Sequence, residues 1–579
     1  MAEITIPVQR PVGADGLLLH EEDHVAQLVL AVENLESVLA SAGLHLATLA
    51  VIEIHTTDRG LFDDASEVLT QRLAEYGVRP EIVVHEVPWL GQPGMTVAVG
   101  ATARSAEPPS HKEEQSMTSE LTEELRAPRS AAAEALRGLC EGHVYLPGDE
   151  GYDQARTPWA VHVDQRPAAV AVPHSAQEVA ELVRTATAAG LRIAPQSSGH
   201  GASPFARADL SDVVLVRLHE LTGVTIDPEH RRARVLGGTL WQPVVETAAA
   251  HGLAALHGSS PDVAVAGYTL GGGLSWYGRQ HGLAAHHLRA VELVLADGRL
   301  VRADAEHEPD LFWALKGGGG SFGVVTALEF DLLPIPDVYA GALIWPAERA
   351  AEVVHRWAEW TRTAPDAAST SLRLMNLPPL PELPPFLSGR KLVVIDGAVL
   401  GSDQDAAGLL APLRALNPEM DTFTRLPAAA LTRIHMDPEG PTPSVSASSL
   451  LGGLPAAAIE AFLAAAGPES GSSVLSAEIR HLGGALSRPS DAALAWLEGD
   501  YLAFFLSIAA TPEMGRQGQL DANRAVAALA PWANGARFLN FDDNFVDVAA
   551  GYAAQAWQRL QAVRGAVDPD CRLLANHAV

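Results

Sequence analysis

Three glycine-dense segments lie within residues 196–330 and their flanks: Pro195-Gln-Ser-Ser-Gly-His200-Gly-Ala, Ala266-Gly-Tyr-Thr-Leu-Gly-Gly-Gly273, and Leu311-Phe-Trp-Ala-Leu-Lys-Gly-Gly-Gly-Gly-Ser-Phe-Gly-Val-Val-Thr326. Glycine lets main chain approach a ligand closely and take positive φ. Three such loops in order point to a large polyphosphate cofactor lying along exposed backbone. One histidine, His200, stands inside the first loop; taken alone, it reads as a loop histidine hydrogen-bonded to backbone before any function. A second candidate is Glu478-Ile-Arg480-His481. Read as a strand, it sets Glu478 and Arg480 on one face and His481 on the other. A carboxylate or imidazole there could take a proton from a substrate; the plain alternative is a surface strand with a salt bridge. Tyr268 and Tyr552 are further candidates.

Other patterns fail on context. Gly318-x-Gly320-x-x-Gly323 fits a dinucleotide fingerprint, which must leave a strand and open a helix. Here the order is inverted, with a helix expected over 309–316 and a strand over 324–332. The same inversion rejects Gly319-x-Ser321-x-Gly323 as a nucleophile elbow and leaves Ser321 a loop serine. His20-Glu-Glu-Asp-His24 has zinc-protease spacing, yet it sits at a helix start, where Glu21, Glu22 and Asp23 complement the helix dipole. His286 and His287 are adjacent and do not converge on one metal. No metal is expected.

These residues need several elements to hold them. The 579-residue length suggests two to four domains. A net charge of −30 argues against nucleic acid and anionic membrane surfaces as partners. Cys140 and Cys571 cannot make a disulfide framework, and the start has no signal-peptide pattern, so the cytoplasm is expected. Residues 1–104 read as a small α+β unit, with a helical stripe of Val25, Leu28, Val29, Val32, Leu35, Val38 and Leu39. A second helix is suggested by Val68, Leu69, Leu73 and Tyr76. Residues 105–129 read as a linker. Within 130–335, a short strand at 169–172 precedes Ser175-Ala-Gln-Glu178, a capping box. The helix it opens ends at Gly190, and a strand at 191–193 feeds the His200 loop. Residues 336–520 read as a separate substrate-side α+β domain, and 521–579 as a return to the first.

Together the three loops resemble the FAD-linked oxidases of the berberine bridge enzyme-like family, whose two-subdomain cofactor fold is the PCMH type. The likeness covers about 130–579. It implies FAD bonded covalently through His200, with Gln196, Ser197, Ser198, Gly199 and Gly201 around it. Gln196 stands where the family often has arginine. Ser260 occupies the position of a second, cysteinyl link, so a single bond is implied. Val263 falls where the family lines oxygen access, and its small side chain looks oxidase-like. Gly267, Gly271, Gly272 and Gly273 let main chain approach the cofactor, and Gly323, Val324 and Val325 match residues near its ADP half. His286-His287 replaces the usual Asp-Asn. Arg537-Phe-Leu-Asn540-Phe541 resembles the Tyr-x-Asn-Tyr segment that passes the ring, with Asn540 kept and both tyrosines replaced. Glu478, His481 and Tyr552 are the catalytic candidates.

Residues 1–104 resemble the RidA/YjgF family, of chorismate mutase-like fold, which forms trimers with ligand sites between subunits. Active members carry an arginine in a Pro-x-Arg-Ser/Thr segment. Here Arg79-Pro80-Glu81-Ile82-Val83 puts Ile82 in its place, and bidentate carboxylate binding is lost. The expectation is an α/β and α+β multidomain oxidase. It passes hydride from a small-molecule, secondary-metabolite substrate to flavin N5 and is reoxidised by dioxygen, with the N-terminal unit a route to homo-oligomers. The alternatives are a non-redox flavoprotein cyclase and a bifunctional amine oxidase plus imine hydrolase.

Overall fold

The computed structural model describes residues 2–9, 24–41, 49–57, 69–70, 73, 80–86, 96–105 and 132–579, apart from positions 382, 383, 439 and 545. Residues 106–129 of the expected linker, His20 to Asp23, Val68, Tyr76 and Arg79 lie outside the described residues. The chain divides into two compact units, Met1–Ala127 and Pro128–Val579.

In the first unit, Ala2–Gln9, Val97–Ser105, Leu49–Thr56 and Glu81–Glu86 form one sheet in that order. The first two junctions are antiparallel and the last is parallel. Helix His24–Ser41 packs Leu28, Ala31, Val32, Leu35 and Leu39 onto Ile52, Ile54, Val97 and Val99. Those helix positions follow the three-four spacing of one buried face. The stripe is narrower than expected, because Val25 and Val29 are exposed.

The second unit contains three sheets. A four-stranded sheet runs Val144–Tyr145, Ala169–Ala171, Val213–Arg217, Arg192–Gln196, and its last two junctions are parallel. Helix Ala176–Ala188 crosses from the second of these strands in sequence to Arg192–Gln196. Ser175 Oγ accepts from Glu178 N (3.2 Å), while Glu178 Oε2 accepts from His174 N (2.7 Å). Gly190 leaves the helix at φ +79°, a conformation glycine adopts without penalty. The His200 loop therefore leaves the carboxyl end of a parallel strand, the edge where open α/β sheets bind ligands. A five-stranded antiparallel sheet is built from Leu300–Asp304, Leu288–Val294, Val324–Asp331, Arg232–Leu236 and Val224–Asp227. Helix Pro309–Leu315, the glycine run and strand Val324–Asp331 follow in the inverted order. Ser321 is buried, and its Oγ accepts from Val579 N.

The third sheet has eight strands. Its main path is Met420–Asp421, Asp337–Pro346, Lys391–Val399, Ala368–Asn376, Ser476–His481, Tyr501–Ile508, Ser444–Leu451, with Thr424–Pro427 beside Asp337–Pro346. Helices Ala350–Thr361, Asp403–Arg414, Ala456–Ala466 and Pro512–Leu529 share one core with one face of it, around Trp345, Trp357, Phe462 and Phe505. The last of these helices corrects the boundary at 520/521, which falls inside it. Its residues Ala522, Ala525 and Leu529 belong to this core. The return to the cofactor side begins only beyond Trp532, where helix Ala554–Val567 places Leu560 and Val563 in the core of the five-stranded sheet. Leu573 then pairs with Ile193 beside the His200 strand. Among the described residues no helix is long and apolar enough to cross a membrane.

Candidate active site

A cavity of about 500 Å³ opens between the glycine loops and the uncovered face of the eight-stranded sheet. It collects Gln196, Ser197, Ser198, Gly199, His200, Gly201, Ser260, Val263, Gly267, Gly271, Gly323, Val325, Glu478, Asn540 and Tyr552. Segments far apart in sequence thus converge on one cavity.

His200 is held on three sides. Its ring stacks on Trp159 with centroids 4.0 Å apart and planes 16° from parallel. Nδ1 shares a hydrogen bond with Ser198 Oγ (2.8 Å), and Nε2 lies 3.6 Å from Asp262 Oδ1. Asp262 in turn accepts from Trp159 Nε1 (2.7 Å), Ser260 Oγ (2.9 Å) and Gly440 N (3.1 Å). Burial opposes ionisation of Asp262, but His200, Trp159 and Ser260 outweigh it and keep the carboxyl below its ordinary range. Trp159 and Asp262 were not singled out in the sequence. No local pattern marks either, since their contact spans 103 residues. Gln196 Oε1 accepts from Arg217 Nη1, so a guanidinium stands one layer behind the loop where the family has its arginine. Burial lowers Arg217 to about 10.

The cavity walls suit a flat, polyphosphate-bearing group. A Cβ on Gly267 would meet nothing within 4 Å, and on Gly319 or Gly320 nothing nearer than 3.9 Å. Bare main chain borders open space there. Among the described residues, His200 Nε2 is buried without a hydrogen-bond partner. Asn540 fastens the second loop, donating to Tyr268 O (3.1 Å) and accepting from Gly273 N (3.4 Å). Gly272 and Gly273 do not border the cavity; they pack behind it, where added Cβ atoms would meet Leu494 and Tyr268. Their role is close packing of the loop rather than approach to a ligand. His286 and His287 are spent on the carbonyls of Leu494 and His281. The C-terminal residues Ala575, Asn576 and His577 complete the wall, with Asn576 Nδ2 bonded to Gly201 O. They too escaped the sequence reading.

The opposite wall follows from sheet register. Arg373 pairs with Glu478, which pairs with Phe504; one step along, Met375, Ser476 and Leu506 lie abreast. Side chains abreast share a face, so an ionic row runs beside an apolar one. Glu478 Oε1 accepts from Ser371 Oγ and Arg480 Nε, both at 2.5 Å. Asp396, fully buried, accepts from Arg373 Nη2 and from His435 Nδ1 (2.9 Å). Burial disfavours ionisation of Glu478, yet Arg480 and His435 prevail and hold it below the usual carboxylate range. Burial and Arg373 also work against imidazolium at His435, but Asp396, Asp437 and Glu478 together raise it to about 9. Arg480 Nη2 stands 3.2 Å from His435 Nε2, a hydrogen bond only for the neutral ring. The carboxylates pull the other way.

The three catalytic candidates meet the cavity differently. Glu478 reaches the cavity, but an ionised, doubly hydrogen-bonded carboxylate is a weak base. His481 faces away, as strand alternation requires. It accepts from Arg279 Nη1 (2.8 Å), and burial with the Arg279 charge lowers it to about 3. Tyr552 borders the cavity, but its hydroxyl donates to Gly317 O (3.0 Å), and burial pushes its pKa up and so disfavours ionisation. Tyr268 likewise donates to Leu256 O. The most exposed carboxylate of the ionic wall is Asp437, with a third of its side chain accessible, and it accepts from Ser259 Oγ (2.9 Å).

Residues 167–304 match the family described as FAD binding domain. Within that span the sequence is that of a FAD-binding domain, and the relatives it is similar to include FAD-linked oxidases. It is 36% identical over 206 residues to (R)-6-hydroxynicotine oxidase of Paenarthrobacter nicotinovorans, covering 35% of this chain and 44% of that protein. It is 30% identical over 230 residues to glucooligosaccharide oxidase of Sarocladium strictum, covering 39% and 46%. The chain thus spans less than half the length of these curated relatives. The solved 6-hydroxy-D-nicotine oxidase of Arthrobacter nicotinovorans superposes with TM-score 0.63 at 25% identity, over 74% of this chain and 95% of that one. BBE-like 1 of Physcomitrella patens shares the fold, with TM-score 0.67 at 20% identity, over 78% and 98%.

Proposed function

We propose that this protein is a FAD-dependent oxidase of a small-molecule substrate, with FAD attached covalently through His200 and dioxygen as the electron acceptor. The observation that carries the reading is the single cavity joining a histidine-bearing glycine cradle to a buried ionic wall. Bound FAD would supply a two-electron acceptor. Trp159, Ser198 and Asp262 fix the His200 ring, and main chain at Gly267, Gly271, Gly319 and Gly320 would border the cofactor. Met375, Leu475, Phe504 and Leu506 exclude water beside the ionic row. The partly exposed carboxylate of Asp437, held by Ser259 Oγ, is the group best placed to meet a polar substrate atom. Ser260 supports a single link, since its hydroxyl is engaged by Asp262. Val263 borders the cavity, which supports access for a small molecule such as oxygen.

The test is reoxidation. Photoreduced enzyme mixed with air-saturated buffer is expected to recover its oxidised spectrum quickly and form stoichiometric peroxide. Slow recovery, with fast transfer to a quinone or dye, would make the protein a dehydrogenase. Substrate turnover without oxygen consumption would make it a cyclase.

The reading extends to the first unit as a RidA-like assembly unit without imine hydrolase activity. Ile82 supports it. The residue is 39% exposed on strand Glu81–Glu86, and its side chain offers neither charge nor donor to a substrate carboxylate.

A further inference from the structure

The ionic wall of the cavity is one positive charge short when its histidine is neutral. Three carboxylates, Asp396, Asp437 and Glu478, face two guanidiniums, Arg373 and Arg480, around His435. These groups come from strands Ala368–Asn376, Lys391–Val399 and Ser476–His481 and from the turn that carries His435 and Asp437. The uncharged Trp276 ring covers the remaining side, 5.7 Å from the imidazole. Two of the carboxylates are satisfied within the wall. Asp396 holds Arg373 and His435, and Glu478 holds Arg480 and Ser371. Asp437 differs. It accepts from Ser259 Oγ (2.9 Å), and its ion-pair neighbour among the described residues is His435 Nε2 at 3.9 Å. Arg480 acts on it only at longer range, and a third of its side chain is exposed in a residue that lines the cavity. The apolar side chains of Met375, Leu475, Phe504 and Leu506 lie on the same lining.

We propose that the cavity takes an organic ammonium group seated against Asp437, with the ligand's apolar part on the neighbouring row, and that the incoming cation displaces the proton held by His435. A carboxylate ligand would add a fourth negative charge to the wall, and a neutral alcohol would leave the deficit unfilled. Two cations cannot share the space beside Asp437 without repulsion, so ammonium and imidazolium exclude each other. Linkage then makes cation binding and proton binding reciprocal. On the oxidase reading, on which its catalytic meaning rests, this makes the substrate an amine.

Calorimetry on the full chain tests the exchange, using benzyltrimethylammonium, a permanent cation that cannot be oxidised as an amine, and benzyl alcohol as the neutral probe. In buffers of different ionisation enthalpy near pH 7, the cation is expected to release close to one proton on binding. Its affinity should rise about tenfold per pH unit and level off above the imidazole transition at about 9. His435→Gln should keep binding but abolish both proton release and pH dependence. Asp437→Asn should weaken binding about tenfold or more. Benzyl alcohol should bind more weakly and release no proton. Cation binding without proton release, equal binding of the alcohol, or no cation binding at millimolar concentration would overturn the proposal. The absorbance of the same sample separates the two readings. Colourless protein that still exchanges cation for proton refutes the oxidase and spares the site, whereas yellow protein without exchange does the reverse.

Discussion

His200 owes its position to the glycines that flank it. Gly199 sits at φ +85°, and a Cβ there would lie 2.7 Å from Pro158 Cβ; at Gly201 it would lie 2.8 Å from Asn576 Nδ2. Gly199→Ala is therefore expected to destabilise the protein by about 1–3 kcal/mol and to lower its flavin content. Unfolding curves and absorbance per protein would read the two effects, and unchanged values in both would count against the cradle. His435 gives a pH signature. Its folded pKa, about 9, lies above the ordinary 6.5. Its contribution to stability is thus fully present below 6.5 and is lost as pH rises through 9. Melting temperature should fall between those limits in the wild type, and by less in His435→Gln.

At the scale of elements, sheet register builds the ionic wall. Arg373 meets Glu478 only because Ala368–Asn376 and Ser476–His481 pair antiparallel in that register. Removing one partner from such a buried network leaves others charged and unpaired. Asp396→Asn should cost about 3–5 kcal/mol in denaturant unfolding, and a paired Arg373→Met, Asp396→Leu change should cost less than the single one. A surface-like cost below about 1 kcal/mol for Asp396→Asn would contradict the buried network. This division also explains what could be read from sequence. The glycine loops, the Ser175 cap and the inverted helix–loop–strand order are local signals and were legible, as was the alternation that separates Glu478 from His481. Which face met the cavity was not. Trp159, Asp262, Arg373, His435 and Asp437 carry no local pattern, because pairings across long stretches of chain make them a site. The boundary near 520 failed for a related reason: Pro512–Leu529 reads as a helix in any setting, and only its packing assigns it to the eight-stranded sheet.

At the scale of the whole molecule, two compact units divide the labour. The second contains the cavity and every cofactor and catalytic candidate. The first has its own core under helix His24–Ser41. Full-length protein should hydrolyse 2-iminopropionate no faster than buffer. Hydrolysis well above that rate would restore the bifunctional reading, and a gain of activity in Ile82→Arg would identify the missing guanidinium as the cause.

The central claim is a flavin held by one bond to His200, and peptide mapping tests it most directly. Acid-precipitated protein should stay yellow. Its digest should carry the flavin mass on a single peptide, the one containing His200, and His200→Ala should lose it. Flavin released into the supernatant, or found on a peptide covering Ser260, would contradict the account.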